Sequence, residues 1–225
     1  MMNIPFADYL IRILFVFVLG TAALTITRRT LSSLFTTYAV QSWLIAGIAL
    51  VLFFKEQAVI LLPIAAVTIA SKAFLIPYLM RRIQKTMNMK RDMEFRYLTP
   101  ISSILVSTAL IFLVYGSFSR FLLEMSSDVL FFLGAVIGVS MTLIGMLVII
   151  TRQRMITKII GYLTMENGVL LFSLFIAELP LIIELLIVID LIMLIVLSTV
   201  LAFGIDNTME EFHKKLGAFT PWFKE

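Results

Sequence analysis

Three ionisable side chains of this 225-residue chain stand inside long apolar runs: Lys72, Glu166 and Asp190. A charge at mid-membrane costs about 2.5–3.5 kcal/mol on insertion scales, so such a residue marks a task or a partner. An ammonium and two carboxyls together offer proton loading and release. Low dielectric disfavours a charged carboxyl and a nearby lysine favours it, and a group pulled both ways exchanges a proton near neutral pH. The competing reading is static: Lys72 pairs with an acid, Glu166 or one on a neighbouring subunit, and each carboxyl takes a hydrogen bond from a Ser or Thr. Glu184, with Glu178, sits nearer the outer end of its run as an exit or rim carboxyl. Glu184 lies about 240° around a helix from Asp190, so the two do not share a face.

The elements that must carry these groups are transmembrane helices. Hydrophobic residues make up 61% of the chain and charged residues 14%, against about 25% charged in soluble domains. So few charges cannot cover a soluble fold, and the chain needs lipid. Apolar runs broken by charge or proline predict an all-α, polytopic membrane protein with about seven spans, near 9–27, 31–54, 57–80, 98–118, 128–150, 156–178 and 181–204. Each is about 30–36 Å long at 1.5 Å per residue, matching a bilayer core of about 30 Å. Met1 to Leu10 carries Asp8 and no basic segment and reads as the start of the first span rather than a removable signal. On this register Lys72 lies about 12 Å, Glu166 about 15 Å and Asp190 about 21 Å from the basic side, in steps that bound water can bridge.

Lys and Arg are unevenly shared between alternate loops. Of 18 in all, 14 fall on one side, including Arg28, Arg29, Arg81, Arg82, Arg152 and Lys158, while Arg12, Lys55 and Arg120 fall on the other. This places the N-terminus outside and the C-terminus in the cytoplasm, with the chain in the cell (inner, cytoplasmic) membrane. The net charge of +4 sits in short loops and is no nucleic-acid footprint. In the tail, 205–225, Phe212, Leu216, Phe219 and Phe223 form an apolar stripe that fits the membrane surface or a partner. The chain has no cysteine, and its one histidine, His213, is in that tail. Thiolate chemistry, cysteine-ligated clusters and paired-histidine metal sites are thereby excluded, no cofactor is expected, and no nucleophile or phosphate-loop motif is present. An independent enzyme is the least favoured class.

Weaker signals accompany the charges. Ser103 with Ser107, Thr37 with Gln41, Thr68 with Lys72, and Glu166 with Ser173 fall at helical spacing. They either hydrate a path or, the favoured reading, join neighbouring helices by hydrogen bonds. Gly134 and Gly138 form a small-xxx-small pair for close packing. Pro63 and Pro77 bracket Lys72 and either kink that span or are neutral.

Gly138–Val139–Ser140–Met141–Thr142–Leu143–Ile144–Gly145, Thr151–Arg152–Gln153–Arg154 and Ile160–Gly161–Tyr162–Leu163–Thr164–Met165–Glu166–Asn167–Gly168 resemble hydrogenase-4 component E, a membrane subunit of formate hydrogenlyase-type, energy-converting hydrogenase complexes. The resemblance runs over the chain, is most specific over 138–190, and includes Lys72–Ala73 to Ile76–Pro77. It implies a four-helix region, 1–127, before a three-helix region, 128–204, that is similar to the K subunit of respiratory complex I and the C subunit of multisubunit sodium/proton antiporters. Glu166 falls where the K subunit's first membrane glutamate would be. The second matches Asp190 by position but is one methylene shorter here, with Glu184 as competitor. The implied function is proton translocation through buried carboxylates, coupled to redox chemistry on partners. Those partners are antiporter-like membrane subunits, a hydrogenase-proximal membrane subunit and a peripheral nickel–iron hydrogenase arm, with no redox centre on this chain. The alternatives are a subunit of a cation/proton antiporter and a purely structural subunit of the membrane arm.

Overall fold

Apolar runs that cannot hydrogen-bond to lipid must satisfy their backbone internally, and the helix does so within one segment. The computed structural model describes residues 4–86, 99–125, 129–152, 155–175, 188–197 and 199, and no strand forms among them. In chain order the helices are α1 (Ile4–Thr27), α2 (Leu31–Glu56), α3 (Leu61–Val67), a π-helical segment (Thr68–Leu75), α4 (Ile76–Thr86), α5 (Pro100–Met125), α6 (Val129–Thr151) and α7 (Met155–Phe175), then α8 (Val188–Leu197). Among the described residues, five rods are long and apolar enough to cross a membrane: α1, α2, the continuous α3–π–α4 rod, α5 and α6. With Lys158, Glu166 and Asn167 along it, α7 is less apolar, and α8 is shorter. The chain is a helical membrane protein.

The breaks are local and chemical. After α1 the backbone extends at Thr30 (φ −111°, ψ 138°), and the Leu34 N–H bonds to Thr30 O to start α2. Thus Arg28–Arg29–Thr30 turns the chain as the sequence predicts. At the far end of α2, Gln57 takes a left-handed conformation and donates its N–H to Phe53 O, a C-cap that ends the helix. Lys55 there pairs with Asp8 of α1 at 2.9 Å.

The third rod departs from expectation. Its charges predict an end near residue 80, yet helix continues to Thr86. Ile76, Met80 and Ile83 stay buried along this stretch, Arg81 and Arg82 stay exposed, and Arg81 Nη2 donates to Thr36 Oγ1. Long basic side chains reach outward while their helix goes on. The two prolines separate in role. Pro63 stands in the first turn of α3, where a missing N–H costs little. Pro77 follows the π-helical segment, whose last hydrogen bond runs from the Ile76 N–H to Ser71 O, and Pro77 has no N–H to continue the ladder.

Helix α2 is the hub, packing against α1, α3, the π segment, α4 and α7. The tightest pair is α6 with α7. A Cβ at Gly138 would lie 2.7 Å from Phe172 N and 2.9 Å from Gly168 O, one at Gly168 would meet Thr142 N, and one at Gly145 would meet Met165 N. The small-residue stripe thus extends past Gly134 and Gly138 to Gly145, and is answered by Gly161 and Gly168, bringing the two backbones into contact. Arg152, beyond α6, is buried. It donates Nη2 to Ile26 O at 2.6 Å and to Arg28 O at 3.4 Å, closing the carbonyl end of α1.

Candidate functional site

Three rods repeat one pattern along their length. On α2, buried Leu31, Leu34 and Phe35 are followed by Gln41 and Ser42, then by Ile45, Ile48 and Leu52. On the third rod, Leu61, Ile64 and Ala65 precede Thr68, Ser71 and Lys72, with Ile76, Met80 and Ile83 beyond. On α7, Ile156, Ile160 and Leu163 precede Glu166 and Asn167, then Leu170, Leu171 and Leu174. The apolar ends belong to two separate clusters, so the polar residues form one layer between two apolar ones.

Lys72, Glu166 and Asp190 meet in that layer. Lys72 Nζ donates to Glu166 Oε1 at 3.0 Å and lies 3.4 Å from Asp190 Oδ1. The three side chains are 1%, 2% and 7% exposed. Each approaches from a different element: the π segment, α7 and α8. Glu166 is aimed by its own helix. Gly161, Met165, Gly168 and Phe172 face α6, and the next residue after Met165 projects about 100° further around.

The expected ladder of charges in steps across the interior is replaced by direct contact. The sequence register ended the third span too early and so placed Lys72 too near the basic side, whereas it lies near the middle of Leu61–Lys85. Glu184 and Glu178 lie outside the described residues, as does the 205–225 tail.

The arrangement has a definite charge balance. One ammonium facing two carboxyls is neutral when one carboxyl holds a proton and carries one net negative charge when neither does. Burial penalises net charge, so the neutral arrangement is the less costly of the two. Tyr38 is fully buried on α2, one turn before Ser42.

A second polar group adjoins the triad. Asn167 Nδ2 donates to Gln41 Oε1 at 3.3 Å and to Ser42 Oγ at 3.2 Å, joining α7 to α2 next to Glu166. Helical spacing in the sequence singles out Gln41 but not Tyr38, Ser42 or Asn167. The available signals were an amide directly after Glu166 in an apolar run, and a Tyr and a Ser four apart on α2.

Several other polar side chains bond locally. Thr37 bonds to Ser33 O, Ser71 to Val67 O, Ser107 to Ser103 O and Ser173 to Leu170 O. Each returns to a carbonyl of its own helix, the local option open to short hydroxyl side chains. Among the described residues, the favoured expectation of interhelical bonds fails for Thr37, Ser107 and Ser173 and holds for Gln41, Lys72 and Glu166.

No protein-family model, no curated protein and no solved structure matches the chain.

Proposed function

We propose that this protein is a membrane subunit of an energy-converting hydrogenase or formate hydrogenlyase complex, in which Lys72, Glu166 and Asp190 take part in proton translocation driven by redox chemistry on partner chains. The observation that carries the transport part is the buried contact of Lys72 with both carboxyls. A cluster with one exchangeable proton responds to any change in nearby charge by shifting that proton between acids. The hydrogenase setting rests on the resemblance of the 138–190 segment and of Lys72–Pro77 to hydrogenase-4 component E. Seven crossings, an outside N-terminus, a cytoplasmic membrane and the antiporter-like and nickel–iron partners belong to the same proposal. The lopsided share of basic residues supports its orientation.

The test uses the chain in its native assembly, reconstituted into liposomes. Glu166→Gln is expected to abolish redox-driven proton movement while the complex still assembles and its partner chains co-purify. Full pumping by that variant overturns the relay. Partners lacking a hydrogenase overturn the redox setting and favour a cation/proton antiporter. The 3.0 Å Lys72–Glu166 contact also serves a second reading, in which the triad is static glue for a structural subunit. On that reading, neutralising all three residues leaves coupling intact and impairs assembly alone.

A further inference from the structure

The amides of Gln41 and Asn167 are fully buried, and the hydrogen bond between them uses one atom of each. Two atoms are left over: Gln41 Nε2, a donor, and Asn167 Oδ1, an acceptor. Neither has a hydrogen-bond partner among the described residues. Turning both amides over exchanges the leftover atoms but still leaves one N–H and one carbonyl oxygen. Leaving both unpaired in a buried layer is costly, and groups of this kind are normally satisfied by internal water. Glu166, the next residue before Asn167, likewise has Oε2 without a partner among the described residues.

The mixture of donor and acceptor decides between ligands. A cation would take the oxygens and leave the Gln41 N–H facing positive charge. Where a cation would bridge Glu166 and Asp190, the Lys72 ammonium already stands. Water both donates and accepts, and needs two to four polar partners, which this cluster supplies.

We propose that Gln41, Ser42 and Asn167 form a built internal water site, one residue along α7 from Glu166 and selective for water over sodium. Its part in proton transfer rests on the function proposed above; its occupancy by water does not. A water here that also reaches Glu166 Oε2 gives that carboxyl a hydrogen-bonded neighbour other than Lys72, so a proton has somewhere to go without the ion pair being separated first.

The experiment has two arms on the full chain in its native assembly. Infrared difference spectra in ordinary and ¹⁸O-labelled water read internal water, and a structure that resolves ordered water reads its place. Water is expected against Gln41 Nε2 and Asn167 Oδ1, with the isotope-sensitive band lost in Gln41→Leu and retained in Gln41→Glu, which keeps a polar tip. A dry site overturns the proposal, as does density with the short oxygen contacts of sodium or a sodium-dependent gain in thermal stability that Asn167→Leu removes. In the second arm, proton flux is expected to fall in Gln41→Leu and to be unchanged when choline replaces sodium. Ordered water in a wild-type assembly that moves no protons overturns the transport function and leaves the water site standing. Wild-type flux in Gln41→Leu with the water band gone overturns the site's role in transfer.

Discussion

The removal of one charge from the triad is the sharpest perturbation available. Lys72→Met keeps length and apolar volume and deletes the ammonium. At an effective dielectric of about 20, an ammonium and an ionised carboxylate 3.0 Å or 3.4 Å apart attract by about 5 kcal/mol gross, and the neutral cluster holds one such pair. Most of that is offset by the cost of taking the charges out of water, and the loss on breaking a buried pair from one side is about 3–5 kcal/mol, because the remaining charge is stranded. Replacing the whole cluster, Lys72→Met with Glu166→Gln and Asp190→Asn, strands nothing and is expected to recover most of that loss. Trp43 packs edge-on against Phe74 of the π segment with ring centroids 5.4 Å apart, which makes its fluorescence a native probe of this region once Trp222 is changed to Phe. Equilibrium unfolding in mixed micelles of mild detergent and sodium dodecyl sulfate, followed by that signal, measures both variants. A Lys72→Met protein within about 1 kcal/mol of wild type refutes a mutually charged cluster, since a stranded buried charge costs several times that. A triple variant as unstable as the single one refutes it equally.

The other expectations test the frame around the site. Gly145→Ala puts a methyl group against the backbone N of Met165 and is expected to cost about 1–3 kcal/mol by overpacking; the same unfolding assay reads it, and it should lower the yield of monodisperse protein. Arg152→Met leaves the Ile26 carbonyl without its 2.6 Å donor and is expected to cost about 1–3 kcal/mol, seen as faster amide exchange in the last turn of α1. Lys55→Ala breaks a partly exposed pair with Asp8 and is expected to change stability by less than about 1 kcal/mol. That near-silence, against the large effect at Lys72, separates burial from charge pairing as the cause.

The helices themselves were legible because lipid leaves so few alternatives. Lys72, Glu166 and Asp190 stood out for the same reason, as charges in runs with almost none. The Lys72–Glu166 pairing was legible as one of two readings, while the approach of Asp190 to the same ammonium was not. Arg81, Arg82 and Lys85 read as the end of a span, but hydrophobicity marks where lipid ends and not where a helix ends, and the buried edge of Ile76, Met80 and Ile83 carries this one further. Periodicity placed Thr37 and Ser107 correctly on buried faces without revealing that their hydroxyls return to their own helix. The π segment has no pattern of its own beyond the proline that follows it. The spacing of Gly138, Gly145, Gly161 and Gly168 was visible, but their pairing needed the antiparallel hairpin of α6 and α7 to be known.

The sandwich of one polar layer between two apolar ones has an electrical consequence. A membrane voltage falls across the material that excludes water, so two dry layers divide it, and the triad sits partway down the gradient. A full crossing is worth about 2.3 kcal/mol per elementary charge per 100 mV, so a proton reaching mid-depth works against about half of that. On the function proposed above, occupancy of the cluster by a proton therefore varies with the voltage across the membrane.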